Sequence, residues 1–433
     1  ALWNVKPMVI PHWAPPTHAM QIFRYAEQGS ITFLWISATN PAVSMPELPR
    51  IREILARDEL FLVVQDLYLT ETAQAADVVL PAAGWGEKTG TFTNANRTVH
   101  LSDKAVDPPG QARSDLDIFL DYARRMDFTT LDGRPLLTWS GPEDGFEAWK
   151  QCSRGRPCDY TGITYDRLRG GSGIPWPCNE ENPDGRERLY EDGVFPTDPG
   201  YCESYGHELL TGATVGPQAF RARAPAGRAL LKTAAYRPPH EEPDADYPLR
   251  FTTGRTAYHF HTRTKTGRAR PLSAAAPKAW VELAVADADR LGISEGDMVR
   301  VSSRRGHIDV PARVSSIRPG TVFAPFHYGY WDADGSPGLH PTAANELTLT
   351  EWDPVSKQPM FKNAAVRVAR IGEATGPAPA PTTTASRPAA RRGAVPVPAT
   401  AGGEAAQASE FLIAAPPPRF PGAIRNSREE GRP

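Results

Sequence analysis

Residues 31–81 read ITFLWISATNPAVSMPELPRIREILARDELFLVVQDLYLTETAQAADVVLP, and this stretch decides the fold class. Ile31–Ile36 is an apolar run rich in strand formers, followed by a loop over Ser37–Pro41. Ser44 and Glu47 have the spacing of a capping box, which predicts a helix running through Leu55. Phe61–Val64 is a second strand, Thr70–Ala76 a short helix, and Val78–Leu80 a third strand closed by Pro81. Strand, helix, strand, helix, strand is the pattern of a parallel, doubly wound α/β sheet. Ligands of such sheets lie beyond the carboxyl ends of the strands. Position alone therefore nominates Asn40, then Gln65 and Asp66, then the loop up to Lys88.

Outward from this stretch the texture changes three times. Ser114 and Asp117 are placed to cap a further helix ending near Met126. From 128 to 247 Pro, Gly and charge dominate with little periodicity, which predicts a long, ordered, loop-rich connector whose Trp176 and Tyr190 pack against something. From 248 the segments LRFTT, AWVELA, MVRVSS, HIDVPARV and AAVRVAR read as short strands around one short helix at Ala286–Leu291. Turn signals at Glu295-Gly296-Asp297, Arg305-Gly306 and Pro319-Gly320 separate them, and short strands in series suggest a small closed β-barrel. After Ile371 the composition shifts to Ala, Pro and Thr, and such a tail cannot build a core. The expected domains are 1–127, 128–247, 248–371 and a disordered tail, 372–433.

Bulk properties exclude several classes. Lys and Arg total 48 against 50 Asp and Glu, so a net charge of −2 argues against nucleic-acid binding. The four cysteines, Cys152, Cys158, Cys178 and Cys202, form no CxxC pair and read as ordinary thiols in a reducing, cytoplasmic setting. No apolar run approaches the roughly 20 residues that span a bilayer. His259 and His261, at i and i+2, lack a convincing third metal ligand, so no metal site is expected.

Two separated blocks carry chemistry suited to a large phosphate-bearing cofactor. The first is VVLPAAGWGEKTGTFTNANRTVHLSDKAVDPPGQARSD, residues 78–115; the second holds TTGRTAYHFHTRTKTG and ANELTLTEWDPVSKQPMFK, within 249–362. Phosphate favours Lys, Arg, hydroxyls and free amides, and a guanine edge offers two donors to one carboxylate. Lys88 suits phosphate, and Asp66 and Asp115 suit the purine, although a lone Asp after a strand is more often a helix cap.

Together these blocks resemble the C-terminal half of the bis-molybdopterin guanine dinucleotide oxidoreductases, most closely the assimilatory nitrate reductases. The resemblance spans roughly 1–371 and rests on five elements in order. WISATNPAVSMP looks like a cofactor-contacting loop and carries Asn40; VVQDLYLTETAQAADVVLPAAGWGEKTGTFTNANR carries Gln65, Asp66 and Lys88; PPGQARSD carries Asp115. TTGRTAYHFHTRTKTG resembles the segment that wraps the pterin and its pyrophosphate, and carries Thr253, Gly254, Arg255, His259, His261 and Thr262. Asn345 and Lys362 match late family contacts, with Phe326 or His327 lining the same pocket. The stretch VELAVADADRLGISEGDMVRVSSRRGHI matches framework. One departure is visible: many relatives have Glu-Arg-Arg after the Asn, whereas this chain has Asn94-Ala95-Asn96-Arg97-Thr98, and the missing basic residue puts a local packing or charge contact in doubt.

The resemblance implies a double-psi β-barrel for the C-terminal domain and a molybdenum bis-molybdopterin guanine dinucleotide cofactor held in a cleft between the α/β segment and the barrel. It implies reduction of nitrate to nitrite, with formate dehydrogenase as the alternative and a non-catalytic pterin-binding fragment as the reading from another class. The Cys-rich motif for a [4Fe–4S] cluster and the molybdenum ligand belong to an N-terminal half that this sequence, entered midway at Ala1, does not contain. The expected partners are that half, in cis or in trans, an electron-donor protein or domain, and an oxyanion substrate; without that half the chain would be inactive.

Overall fold

The computed structural model describes residues 4–5, 18–195, 206–207, 214–215, 236–329, 342–353 and 356–372. Cys202 and the Ala/Pro-rich stretch from 373 lie outside the described residues. The chain folds into two compact units. One comprises the described residues between 80 and 236 together with 4, 5 and 356; the other comprises those of 18–79 and 237–372 apart from 356.

The α/β part opens with helix α1 (Ala19–Glu27), which has no counterpart among the elements read from the sequence. It exists because Met20, Phe23 and Ala26 fall on one face and are buried against Ile36, Ile51, Ile54, Leu62 and Val64. Strand β1 (Phe33–Ser37) pairs in parallel with β2 (Phe61–Asp66), in a register that sets Ser37 beside Gln65. The third strand, β3 (Val78–Pro81), completes the order β1-β2-β3. Between β1 and β2 lie a short helix α2 (Pro41–Ser44) and α3 (Leu48–Leu55). The capping box expected at Ser44 and Glu47 does not form. Ser44 ends α2, and Glu47 caps α3 with left-handed backbone (φ 52°) and no side-chain bond to the helix. Its carboxylate instead accepts a hydrogen bond from Thr350 Oγ1, a partner far along the chain that local spacing does not reveal. Helix α4 (Glu71–Gln74) starts at Thr70, whose hydroxyl accepts from the Ala73 amide at 3.2 Å.

In the other unit, β4 (Gly90–Thr93) and β5 (Thr98–Ser102) form an antiparallel hairpin, with β6 (Ile174–Pro175) added to β5. Helix α5 (Asp115–Arg125) begins at Ser114, whose hydroxyl accepts from the Asp117 amide at 3.1 Å. Helices α6 (Pro142–Ser153) and α7 (Tyr165–Arg169) lie within the stretch read as a connector. Phe146, Tyr160, Ile163, Tyr165, Leu168 and Cys178 form a buried cluster there with Val99 of β5. Trp176 stacks on Tyr160 at 6.5 Å, and Tyr190 on Phe195 at 4.7 Å. At the point of departure from the family pattern, Arg97 donates to the Trp176 carbonyl and to those of Arg186 (3.1 Å) and Glu187 (2.6 Å). A single guanidinium thus ties the hairpin turn to 176–187. Two-residue strands β7 (Gly206–His207) and β8 (Thr214–Val215) pair with each other.

The C-terminal part is a closed barrel of β9 (Leu249–Gly254), β10 (Val281–Ala284), β11 (Met298–Ser302), β12 (His307–Ser315), β13 (Thr321–Pro325) and β14 (Ala364–Gly372). Their order around the barrel is β10-β12-β11-β14-β9-β13. Two pairs are parallel, β10 with β12 and β9 with β13; the other four are antiparallel. Every second residue of β9 points inward, which places Leu249, Phe251 and Thr253 inside. Phe251, Val281, Leu283, Val299, Val301, Ile308, Val322 and Val366 fill the interior. Each such side chain contributes on the order of 1.5–3 kcal/mol relative to exposure. The helix Val285–Leu291 ends at Gly292, whose φ of 64° suits a residue without a Cβ. Among the described residues, no helix is long and apolar enough to cross a membrane.

Candidate cofactor-binding surfaces

The α/β segment and the barrel belong to one unit, and their polar residues meet in a buried network. Asn40, 4% exposed, stands at the N-terminus of α2. Its Nδ2 donates to Glu71 Oε2 (2.8 Å) and to Thr262 Oγ1 (3.4 Å). Its Oδ1 accepts from the Thr72 amide (3.2 Å) and hydroxyl (2.7 Å), and Thr72 Oγ1 in turn accepts from the Ala42 amide at 3.0 Å. Glu71 and Thr72 are fully buried and were not singled out from the sequence; a short polar helix after a strand carries no signal that its carboxylate faces inward. Gly329 fits against this network because a Cβ there would come within 2.3 Å of Glu71 Oε1.

Gln65, at the end of β2, is buried, and its Oε1 accepts from the Trp35 indole at 3.2 Å. Asp66 follows it and is half-buried, with Oδ1 accepting from the Leu67 amide at 2.6 Å. Asn345 is buried, its Nδ2 donating to the Val43 carbonyl (2.9 Å) and its Oδ1 accepting from Thr348 Oγ1 (3.2 Å).

After β9 the chain enters the loop 255–268. Thr253 Oγ1 donates to the Phe361 carbonyl at 3.0 Å, and the Thr253 carbonyl accepts from Lys362 Nζ. Gly254 is required by a close approach, since a Cβ there would meet Phe323 Cε2 at 2.6 Å. Arg255 is exposed; its guanidinium lies 5.9 Å from the Phe326 ring centroid, and Lys362 Nζ lies at the same distance from that ring. Burial, and secondarily Arg255, lowers the Lys362 pKa. His261 is exposed with a left-handed backbone (φ 43°), and its pKa is lowered by burial, Arg255 and Lys265. Thr262, buried, reaches Thr264 Oγ1 (3.0 Å) as well as Asn40.

His259 is buried with both ring nitrogens engaged. Nε2 donates to the Ala276 carbonyl at 2.7 Å, so in the neutral ring Nδ1 accepts from Thr266 Oγ1 at 3.1 Å. Neither nitrogen is left for a metal. Among the described residues, no group of three or more His, Cys, Asp or Glu side chains gathers at ligand spacing.

On the other unit, Lys88 and Asp115 form an ion pair with each other, their side chains 25% and 31% exposed. Asp115 is the first residue of α5, where the helix dipole favours a carboxylate.

Residues 13–125 match the molybdopterin oxidoreductase family, and residues 249–365 match the molydopterin dinucleotide binding domain. The chain is 35% identical over 356 residues to a protein of Desulfovibrio desulfuricans named periplasmic nitrate reductase, covering 82% of this chain and 43% of that one. It is 38% identical over 343 residues to the F420-dependent formate dehydrogenase subunit alpha of Methanocaldococcus jannaschii, covering 79% and 44%. To the assimilatory nitrate reductase catalytic subunit of Bacillus subtilis it is 33% identical over 373 residues, covering 86% and 46%. The chain therefore spans less than half the length of these relatives. Among solved structures, acetylene hydratase from Pelobacter acetylenicus superposes with a TM-score of 0.58 at 16% identity, over 81% of this chain and 46% of that one. That likeness shows a shared fold.

Proposed function

We propose that this chain, which belongs to the molybdopterin oxidoreductases and carries a molydopterin dinucleotide-binding domain, supplies part of the cradle for a molybdenum bis-molybdopterin guanine dinucleotide. In this reading it is part of a protein that reduces nitrate to nitrite. The observation that carries the reading is the pair of cations flanking Phe326. Among the described residues neither Arg255 nor Lys362 pairs with a carboxylate, and both lie 5.9 Å from the centroid of the same ring. Two uncompensated cations over one ring, beside a run of threonines, suit a pyrophosphate. Thr256 adds a buried hydroxyl with no hydrogen-bond partner among the described residues, at the root of the same loop. These residues fit the dinucleotide.

Within this reading Arg255 and Lys362 bind phosphate oxygens, and Phe326 holds the two cations at a fixed height. Thr253, Thr262, Asn40 and Asn345 set the surrounding backbone. Gln65 and Asp66 present the edge of β2, with Asp66 a candidate for the guanine edge. Lys88 and Asp115 are candidate phosphate and nucleotide contacts on the other unit. When bound, the cofactor supplies the two-electron oxygen-atom transfer. The metal ligand, a [4Fe–4S] cluster and the contact with an electron donor are assigned to the part of such a protein that lies outside this sequence. A cytoplasmic setting goes with the assimilatory reading. Formate oxidation is the second reading, and the 38% identity to a formate dehydrogenase subunit favours keeping it.

The test is molybdenum and pterin analysis of the protein purified from its own cells, with its intact mass and with nitrate and formate assays. Bound molybdenum and guanine nucleotide in a species heavier than 47.2 kDa, with nitrate turnover, is the expected result. A 47.2 kDa species without either would end the enzyme reading.

A further inference from the structure

The loop 255–262 carries Arg255, assigned to phosphate, and Thr262, assigned to the backbone around it, yet its own backbone is unfavourable. His261 and, just beyond it, Arg263 adopt left-handed φ values of 43° and 64°. For side chains of this size each costs on the order of 1–3 kcal/mol and persists only where its surroundings over-determine it. What holds the loop is a buried imidazole from the end of β13. His327 is fully buried; its Nε2 lies 2.8 Å from the Thr256 amide nitrogen and its Nδ1 2.7 Å from the His261 carbonyl oxygen. An amide N–H can only donate and a carbonyl can only accept. The ring is therefore neutral, with its proton on Nδ1.

We propose that His327 is a positioning residue: its neutral imidazole clasps the loop at both ends, from the Thr256 amide to the His261 carbonyl, and so fixes where Arg255 and Thr262 stand. The role assigned to those two residues rests on the cofactor reading above; the clasp itself does not. A second buried imidazole backs it. His259, with its ring 5.9 Å from that of His327, anchors the middle of the loop to the Ala276 carbonyl, which also accepts from the Tyr328 hydroxyl at 3.0 Å. Phe260 N donates to Thr266 Oγ1, the same hydroxyl that serves His259.

The clasp has a built-in sensitivity to protons. Protonating His327 turns Nε2 into a donor facing another donor, the Thr256 N–H, and breaks that end. The charged and titratable groups acting on it, His259, Arg255 and His261, all disfavour the added proton, as does burial, the largest influence; only the bond to the His261 carbonyl works the other way. The folded pKa is thus below the ordinary value of about 6.5. The opened loop, with an ordinary histidine, binds the proton more readily than the closed one. Opening therefore becomes easier as pH falls below about 6.5, by at most about tenfold per pH unit, down to the lowered pKa.

Hydrogen–deuterium exchange of the full chain between pH 7.5 and 5 tests this, with rates corrected for intrinsic exchange. The Thr256 amide is the direct reporter, and amides of β11 and β12 are the internal control for the barrel. In the native chain, Thr256 protection should fall several-fold across that range while the barrel amides hold. Gln offers one acceptor and one donor but does not titrate, so His327→Gln should keep most of the protection at pH 7.5 and show a flat profile. His327→Phe should lose protection at every pH. A flat native profile, a sloping Gln profile or a protected Phe variant would each overturn the clasp. Should His327→Phe not fold, the comparison of the native chain with the Gln variant still decides. A parallel titration with GDP separates the two proposals. A pH-dependent clasp with no GDP binding in any form would count against the cofactor reading alone.

Discussion

Replacing Arg52 by alanine should destabilise the barrel-bearing unit more than any single surface change, and should do so in a pH-dependent way. Arg52, on α3, gives its Nη1 to Glu346 Oε1 (2.6 Å) and Nη2 to Oε2 (3.0 Å), a bidentate pair with side chains 19% and 7% exposed. Glu346 ends the 3-10 turn Ala344–Glu346, so the pair joins the α/β segment to the barrel side of the unit. Removing one partner of a buried pair leaves an uncompensated charge, at a cost of about 3–5 kcal/mol. For a unit of this size that corresponds to roughly 6–20 °C in Tm. Burial raises the Glu346 pKa, and Arg52 only partly opposes it. A carboxyl whose folded pKa exceeds its unfolded value stabilises most below the unfolded value and loses that contribution as pH rises through the folded one. Without Arg52 the folded pKa rises further. The deficit of Arg52→Ala should therefore be largest near pH 7.5 and shrink towards pH 5. The apolar pair Arg52→Met with Glu346→Leu should recover most of the loss. Urea and thermal melts followed by circular dichroism at both pH values give the numbers. A deficit below about 1 kcal/mol, equal at the two pH values, would refute the argument that this ion pair is buried and structural.

Three further changes probe the network and the cations. Asn40→Ala removes both donors to Glu71 and Thr262 and should cost about 1–3 kcal/mol; Asn40→Asp, which sets a carboxylate against Glu71, should cost more at pH 7 than at pH 5, by urea midpoint. Gly254→Ala forces Phe323 aside and should cost about 1 kcal/mol or more, an effect that Phe323→Leu in the same chain should relieve; equal melting of the single and double variants would contradict the contact. Lys362→Met should weaken GDP binding about 10- to 100-fold, the worth of one charge-assisted hydrogen bond, with stability within about 1 kcal/mol of native; calorimetric titration beside a thermal melt reads both.

The parts of this fold that can be read from the sequence are those set by local chemistry. Strands β1 and β2 are apolar runs bounded by polar loops, and α4 and α5 begin at a Thr and a Ser that do cap them. The misread capping box shows the limit. Ser44 and Glu47 have the right spacing, but Thr350 lies 303 residues beyond Glu47 and takes its carboxylate. Strand β13 escapes notice because its five residues end in proline and its pairing partners are strands distant in sequence. Likewise the motif residues are visible as types, whereas their partners are not. Asn40 meets Thr262 at a separation of 222 residues and Arg52 meets Glu346 at 294. Periodicity carries no information at such range.

Those partners alter what the motif residues can do. A side-chain amide has two donors and two acceptor lone pairs, and Asn40 uses all four on Glu71, Thr262 and Thr72. Any contact it makes with a ligand must then run through backbone or follow a rearrangement of the network. His259 has both nitrogens in use, and Gln65, Thr253 and Asn345 each have a protein partner. Arg255 is different: exposed, bonded to no carboxylate among the described residues, and held only against an aromatic face. Lys362 reaches a carbonyl but, among the described residues, no counter-charge, and its lowered pKa reflects burial beside Arg255. An anion placed between the two would relieve that repulsion, which the internal network cannot do. The residues of these separated motifs thus divide physically. The neutral, buried ones hold the loop in shape, and the cations, which that shape leaves without a carboxylate partner among the described residues, are the groups an anionic ligand would meet under the proposed function.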